Sequence, residues 1–253
     1  MSGIFSSAVP VVNHYDLYGS ASNIPVPSSP CLAVPPASIS ITILERLIPP
    51  SNVQEFLNLF AQTGQSVLLN RLIELSPNKG TMLFIYPTKA GGTTFASRYL
   101  GPILDPVLRT MINSHSLSAD IAVDIGKVDA VEHLLSYEGM KRKVNMLLER
   151  LNRGSSSSKG SNYALVHSSK ENVLVDRRVW TEWFLQQETP RFRFVTTRYF
   201  QRAHRLPKEP HVNYAVLTRE IVEGITERKY NAGEGPGDED GIEVGVYVVR
   251  RGA

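Results

Sequence analysis

The sequence predicts an α/β protein whose mainly parallel sheet is flanked on both faces by helices and preceded by a flexible tail. Three observations carry that reading. Thr81-Met-Leu-Phe-Ile-Tyr86 is continuously apolar at its centre, as expected of a strand buried on both faces of a parallel sheet. From residue 39 onward, short β-branched runs alternate with longer segments of helical spacing, the pattern of a sheet covered by helices. Ile242-Glu-Val-Gly-Val-Tyr-Val-Val249 supplies a closing strand near the C-terminus. With 253 residues, 42% of them hydrophobic and 20% charged, the chain has the apolar side chains to build a core, which excludes a wholly disordered or fibrous protein.

Residues 1–38 contain one charged residue, Asp16, and are cut by Pro10, Pro25, Pro27, Pro30, Pro35 and Pro36. Such a stretch has little to pack and reads as a Pro/Ser-rich disordered tail. The remainder, residues 39–253, reads as a single α/β domain. Ser38-Ile-Ser-Ile-Thr-Ile-Leu44 alternates in the manner of a strand, and Pro49-Pro50 stops it. Ser51 stands three residues before Gln54, a capping-box spacing that predicts a helical region to about Leu75, interrupted near Gly64. The turn Pro77-Asn-Lys-Gly80 leads into the central strand. A helix from Phe95 is expected to end at Gly101-Pro102, and Asp105-Pro106 to cap the next one. Residues 120–124 read as a short strand, and Asp129 to Leu151 as a helix. A serine-rich surface loop spans residues 153–161. Tyr163 to His167 and Val173 to Val175 are expected to form a hairpin. Asp176 caps a helix carrying Trp180, Trp183 and Phe184, whose spacing predicts core packing. Thr189-Pro190 starts a separate basic helix, His211 to Arg228 forms the last helix, and residues 231–241 form an acidic glycine-rich loop.

Several functions are excluded or left without support. The single cysteine, Cys31, permits no internal disulfide and no cysteine zinc cluster. The chain therefore reads as intracellular, cytoplasmic or nuclear. Its first thirty residues lack any Lys or Arg and are broken by prolines, unlike an export signal. No apolar run approaches the ~20 residues that span a bilayer, so no membrane partner is expected. The six histidines form no metal-ligand spacing, and no serine lies in a GxSxG elbow. No catalytic or metal residue is assigned. The formal charge of +3 is too small to announce nucleic-acid binding by itself.

Two segments carry local chemistry. Tyr86-Pro-Thr-Lys-Ala-Gly-Gly-Thr-Thr94 joins the central strand to a helix. Successive amides at a helix start can hold an anion, which makes Lys89, Gly91, Gly92, Thr93 and Thr94 an anion-binding candidate. In a Walker A loop the lysine follows the last glycine, whereas Lys89 precedes both. That favours the alternative, a turn in which the glycines supply unusual φ angles and a threonine caps the helix. The second segment, residues 190–208, holds six cations and no acidic residue. At 100° per residue, Arg191, Arg198, Arg202 and Arg205 share one face. This basic face suits phosphates or an acidic protein partner; the alternative is a solvated surface helix whose arginine stems cover apolar neighbours.

The order of Ile41 to Leu44, a helical region, Leu72-Ile-Glu-Leu-Ser-Pro-Asn-Lys-Gly80 and Thr81-Met-Leu-Phe-Ile-Tyr-Pro87 resembles the later half of class I S-adenosylmethionine-dependent methyltransferases. In that family a helix ending in a Pro/Gly turn feeds the fifth strand, and a closing strand comes last, as Val244 to Val249 would here. The resemblance covers residues 39–95 and the C-terminal strand, and implies a Rossmann-like fold. The chain departs from the family in having no GxGxG loop after a first strand. Its only glycine alternation, Gly233-Glu-Gly-Pro-Gly237, lies in the acidic loop. No cofactor-binding residue is carried over, and the cofactor is left unassigned. The expectation is a non-catalytic or degenerate methyltransferase-like protein that binds a partner. Two alternatives stay open: a nucleic-acid-associated protein using the basic helix, and an active S-adenosylmethionine-dependent methyltransferase whose cofactor site has another pattern.

Overall fold

The computed structural model describes residues 32–61, 66–154, 162–202, 211–237 and 239–252. Most of the predicted tail lies outside them. Its last residues are held to the domain: the Ala33 N–H donates to the Glu74 carboxylate (2.7 Å), and the Ser38 and Ile39 amides donate to the Glu74 carbonyl (both 2.9 Å). The Glu74 side chain is fully buried and pairs with Arg71 at 2.8 Å.

The chain opens with β1 (Ile41–Glu45) and α1 (Val53–Leu59). The capping box falls one residue later than predicted. Asn52 accepts from the Glu55 N–H, while Glu55 reaches back to the Ser51 N–H. Ser66 caps α2 (Val67–Glu74), and β2 (Thr81–Pro87) follows a turn that holds Lys79 at φ 60°.

The next three segments form one continuous rod: α3 (Lys89–Thr94), a π-helical stretch over Phe95–Leu100, and α4 (Gly101–His115). The expected stop at Gly101-Pro102 does not occur. The Gly101 N–H donates five residues back to Ala96, a widened turn that admits Pro102, which has no N–H and would crowd an ordinary helix. The predicted cap at Asp105 is likewise replaced, since Pro106 lies inside α4.

Residues expected as a strand form α5 (Asp120–Gly126), because Ile121 and Ile125, four apart, bury the same helical face. The helix expected from Asp129 divides into α6 (Asp129–His133) and α7 (Tyr137–Gly154). The predicted hairpin is a single long strand, β3 (Asn162–Val173): its expected turn residues, 168–172, pair with residues 243–247 of the last strand. Asp176 caps α8 (Arg177–Arg202) through the Arg178 N–H at 2.8 Å. That helix runs straight through Pro190. The predicted break at Thr189 fails because the surrounding apolar residues keep one packed register, with Phe184 and Phe192 both buried against the same core. α9 (Tyr214–Glu227) and β4 (Ile242–Gly252) complete the chain.

The sheet order is β1-β2-β4-β3. β1 and β2 are parallel, with Ile41 opposite Thr81, whereas β4 is antiparallel to both β2 and β3. The sheet is therefore mixed, which corrects the mainly parallel expectation. Three strands share a direction, but the last runs against them from a position between β2 and β3, so only one pairing is parallel. On one face Met82, Phe84, Tyr247 and Val249 pack against α1, α2 and α7. On the other, Val244 joins Phe95 and Tyr99 of the π-helical stretch, Leu104 of α4, Trp180 and Phe192 of α8 and Ile221 of α9.

Candidate functional site

The glycine segment is built into the junction of α3 and β4. Thr88, 1% exposed, is the N-cap: its hydroxyl accepts from the Gly91 N–H at 3.2 Å and donates to the Glu243 carboxylate at 2.6 Å. The Thr88 N–H donates to the Glu243 carbonyl at 3.0 Å and the Lys89 N–H to the Leu135 carbonyl at 2.9 Å. The Gly92 N–H closes onto Thr88 at 2.8 Å. The Thr93 hydroxyl returns to the Lys89 carbonyl, Thr94 is half-buried, and the Lys89 side chain is exposed.

The glycines owe their place to packing. Among the described glycines only Gly233 has a positive φ, so the unusual φ angles expected at Gly91 and Gly92 are absent. A Cβ on Gly91 would stand 2.0 Å from the Glu243 carbonyl oxygen, and one on Gly92 would meet Leu134 at 2.7 Å. Glycine is what lets the helix lie directly on the β4 backbone.

Beside this junction, toward the carboxyl ends of β2 and β3, is a cleft of about 380 Å³ lined by Ser136, Tyr137, Glu138, Lys170 and Glu243. That end of an open α/β sheet is where ligands usually bind. Lys170 pairs with Glu243 at 3.1 Å, so Glu243 is shared between a lysine and the Thr88 cap. Tyr137 stacks on Tyr247 with ring centroids 5.9 Å apart. Burial holds the Tyr247 phenol well above the usual tyrosine range, with Tyr137 adding to the shift. Neither Lys170 nor Glu243 stood out in the sequence, since their partnership exists only through strand pairing.

A larger cleft of about 620 Å³ borders the π-helical stretch, with Arg98, Pro102, Asp105, Arg109 and Glu234 among its lining. Its charges balance, and Arg98 faces Asp240 at 3.7 Å. His115 pairs with Glu220 across α4 and α9 at 2.8 Å. Among the described residues no group of three or more His, Cys, Asp or Glu is placed to hold a metal ion, and no helix is long and apolar enough to cross a membrane.

The basic face on α8 separates into parts. Arg191 is structural: it pairs with Glu188, and its guanidinium donates to the Asp124 and Ile125 carbonyls at 2.9 and 2.8 Å, capping the end of α5. Arg198 and Arg202 are exposed, whereas Arg205 lies outside the described residues. Of the two tryptophans, Trp180 is fully buried, but Trp183 is 40% exposed, and Phe194 farther along the same helix is 63% exposed. The expected core packing therefore holds for Trp180 and Phe184 and is corrected for Trp183, which lies on the exposed face of α8. Sequence reasoning counted Arg193 among the six cations of residues 190–208 but did not place it beside Phe194; the signal was the spacing Trp183, Pro190, Phe194, which is seven then four residues along one helix face.

Compared with known proteins, the sequence matches no family model and no curated protein.

Proposed function

We propose that this protein is a non-catalytic binding protein on a Rossmann-like sheet of the kind found in the later half of class I methyltransferases. The observation that supports this is the strand order. β1 and β2 run parallel, and the final strand β4 is reversed and lies beside β2. Methyltransferase sheets likewise carry a reversed final strand beside a co-directional set. The glycine segment after β2 supports binding without cofactor chemistry, because its amides are already used by Thr88 and Leu135.

Calorimetric titration of the full chain with S-adenosylmethionine tests this reading. No binding is expected at millimolar ligand. One-to-one binding at micromolar concentration would overturn the reading and make the protein an active transferase with a cofactor site of another pattern.

A further inference from the structure

We infer that the outer face of α8 is a docking surface for an acidic amphipathic helix of a partner protein. This deepens the binding role proposed above and rests on it. Val179, Trp183, Pro190 and Phe194 lie within about 60° of one another around the helix at 100° per residue. They form one apolar line about 22 Å long at 1.5 Å per residue. All four are exposed: Val179 36%, Trp183 40% and Phe194 63%, with Pro190 also open to solvent. The remaining apolar residues of α8 are spent on the core, where Trp180, Phe184 and Phe192 are buried. One helix thus has two apolar faces, and among the described residues only one is covered.

The rim of the line states the chemistry of its occupant. Arg193 flanks it on one side and Arg198 on the other, with Arg202 a turn beyond, and all three are exposed. Among the described residues no ion pair joins any of them to another. The one exposed carboxylate of α8 is Glu182, while Glu188 is buried against Arg191. A partner helix with apolar residues at i, i+4, i+7 and i+11 would lie along the same line, and its flanking Glu or Asp side chains would meet the arginines in charge-assisted hydrogen bonds. Tryptophan and arginine are also the residue types that most often dominate such interfaces. A phosphate backbone alone would use the arginines and leave the apolar line bare.

The test titrates the full chain with two synthetic peptides of about 18 residues, long enough to cover the line. Both carry leucine at the stated spacing; one is flanked by glutamates, the other by lysines. The glutamate peptide is expected to bind in the micromolar range, to shift the Trp183 emission to the blue and to weaken with salt. The lysine peptide is expected not to bind. Trp183→Ala or Phe194→Ala should each weaken the glutamate peptide by about tenfold, and Arg193→Ser with Arg198→Ser by several-fold, with melting temperatures measured alongside. Absence of glutamate-peptide binding, equal binding of both peptides, or unchanged affinity in the variants would overturn the proposal. So would a salt-sensitive gel shift with single-stranded RNA, lost in Arg198→Ala with Arg202→Ala, in place of peptide binding. The parent protein decides the peptide comparison without any variant, and the outcome is separate from the S-adenosylmethionine titration.

Discussion

At the start of α3 the polar groups turn inward. The Thr88 hydroxyl serves Gly91 and Glu243, the Lys89 amide serves Leu135, Gly91 lies against the β4 backbone and Gly92 against Leu134. On the outer face of α8 the groups turn outward: Trp183 and Phe194 have lost only part of their surface, and Arg193 and Arg198 stand in solvent. Both regions show the residue types that mark binding sites. The difference lies in what is left unsatisfied once the chain has folded. In one, the chemistry is consumed by packing a helix against a strand; in the other, it remains available to a second molecule.

The sharpest way to break this comparison sets the two tryptophans against each other. Trp180→Ala should cost about 3–5 kcal/mol, because it empties a fully buried site beside Phe95 and Phe184. Trp183→Ala should stay within about 1 kcal/mol. Thermal melts should separate the variants by several degrees; equal losses would place Trp183 in the core and end the case for a free face.

Next in size is Gly91→Ala. Its Cβ would stand 2.0 Å from the Glu243 carbonyl, so a loss of about 2 kcal/mol is expected despite the better helix propensity of alanine. Gly126→Ala is the control, with its nearest contact at 3.9 Å, and should be near neutral. If both variants melt with the parent, the close contact at α3 is not what fixes the glycine.

Alkaline pH should weaken the fold without reference to either surface. Burial pushes the Tyr230 phenol up to about 12 and holds Tyr247 above its usual range. The unfolded chain ionises these phenols near pH 10, so their contribution is intact below that pH and is lost as pH rises toward 12. The melting temperature should fall over that window, and Tyr230→Phe should flatten the fall. A flat profile would mean these phenols titrate freely.

The smallest effect concerns the anion reading of the glycine segment. Millimolar phosphate should not raise the melting temperature, since the amides that would hold it are already bonded. A rise abolished by Lys89→Ala would show that the segment opens to take an anion.

Much of the fold was legible because local rules governed it. The apolar run at Thr81 to Tyr86 and the cap at Asp176 act within a few residues. The failures have two physical causes, a local change of helical turn and the override of local preference by tertiary contact. Gly101-Pro102 should end a helix and Asp105-Pro106 should start another, yet a turn bonded five residues back at Gly101 keeps the rod intact and Pro106 lies inside α4. Ser168 to Asn172 reads as a turn, yet pairing with β4 extends it. At the candidate sites, Gly91 and Gly92 were legible as special positions, but their causes are remote in sequence: the Glu243 backbone for Gly91, and the Leu134 and Val131 side chains for Gly92. Arg191 looked like part of a basic face because the α5 carbonyls it caps, Asp124 and Ile125, are remote in sequence. Arg198 and Arg202 are exposed, as a basic surface face requires, because no described residue covers them.

The central claim, that binding occurs on α8 and not at α3, is tested most directly by hydrogen exchange on the full chain with and without saturating glutamate-flanked peptide. Slowed exchange is expected in peptides covering residues 179–198, with residues 88–94 unchanged. Slowing at 88–94 with none along α8 would contradict the account.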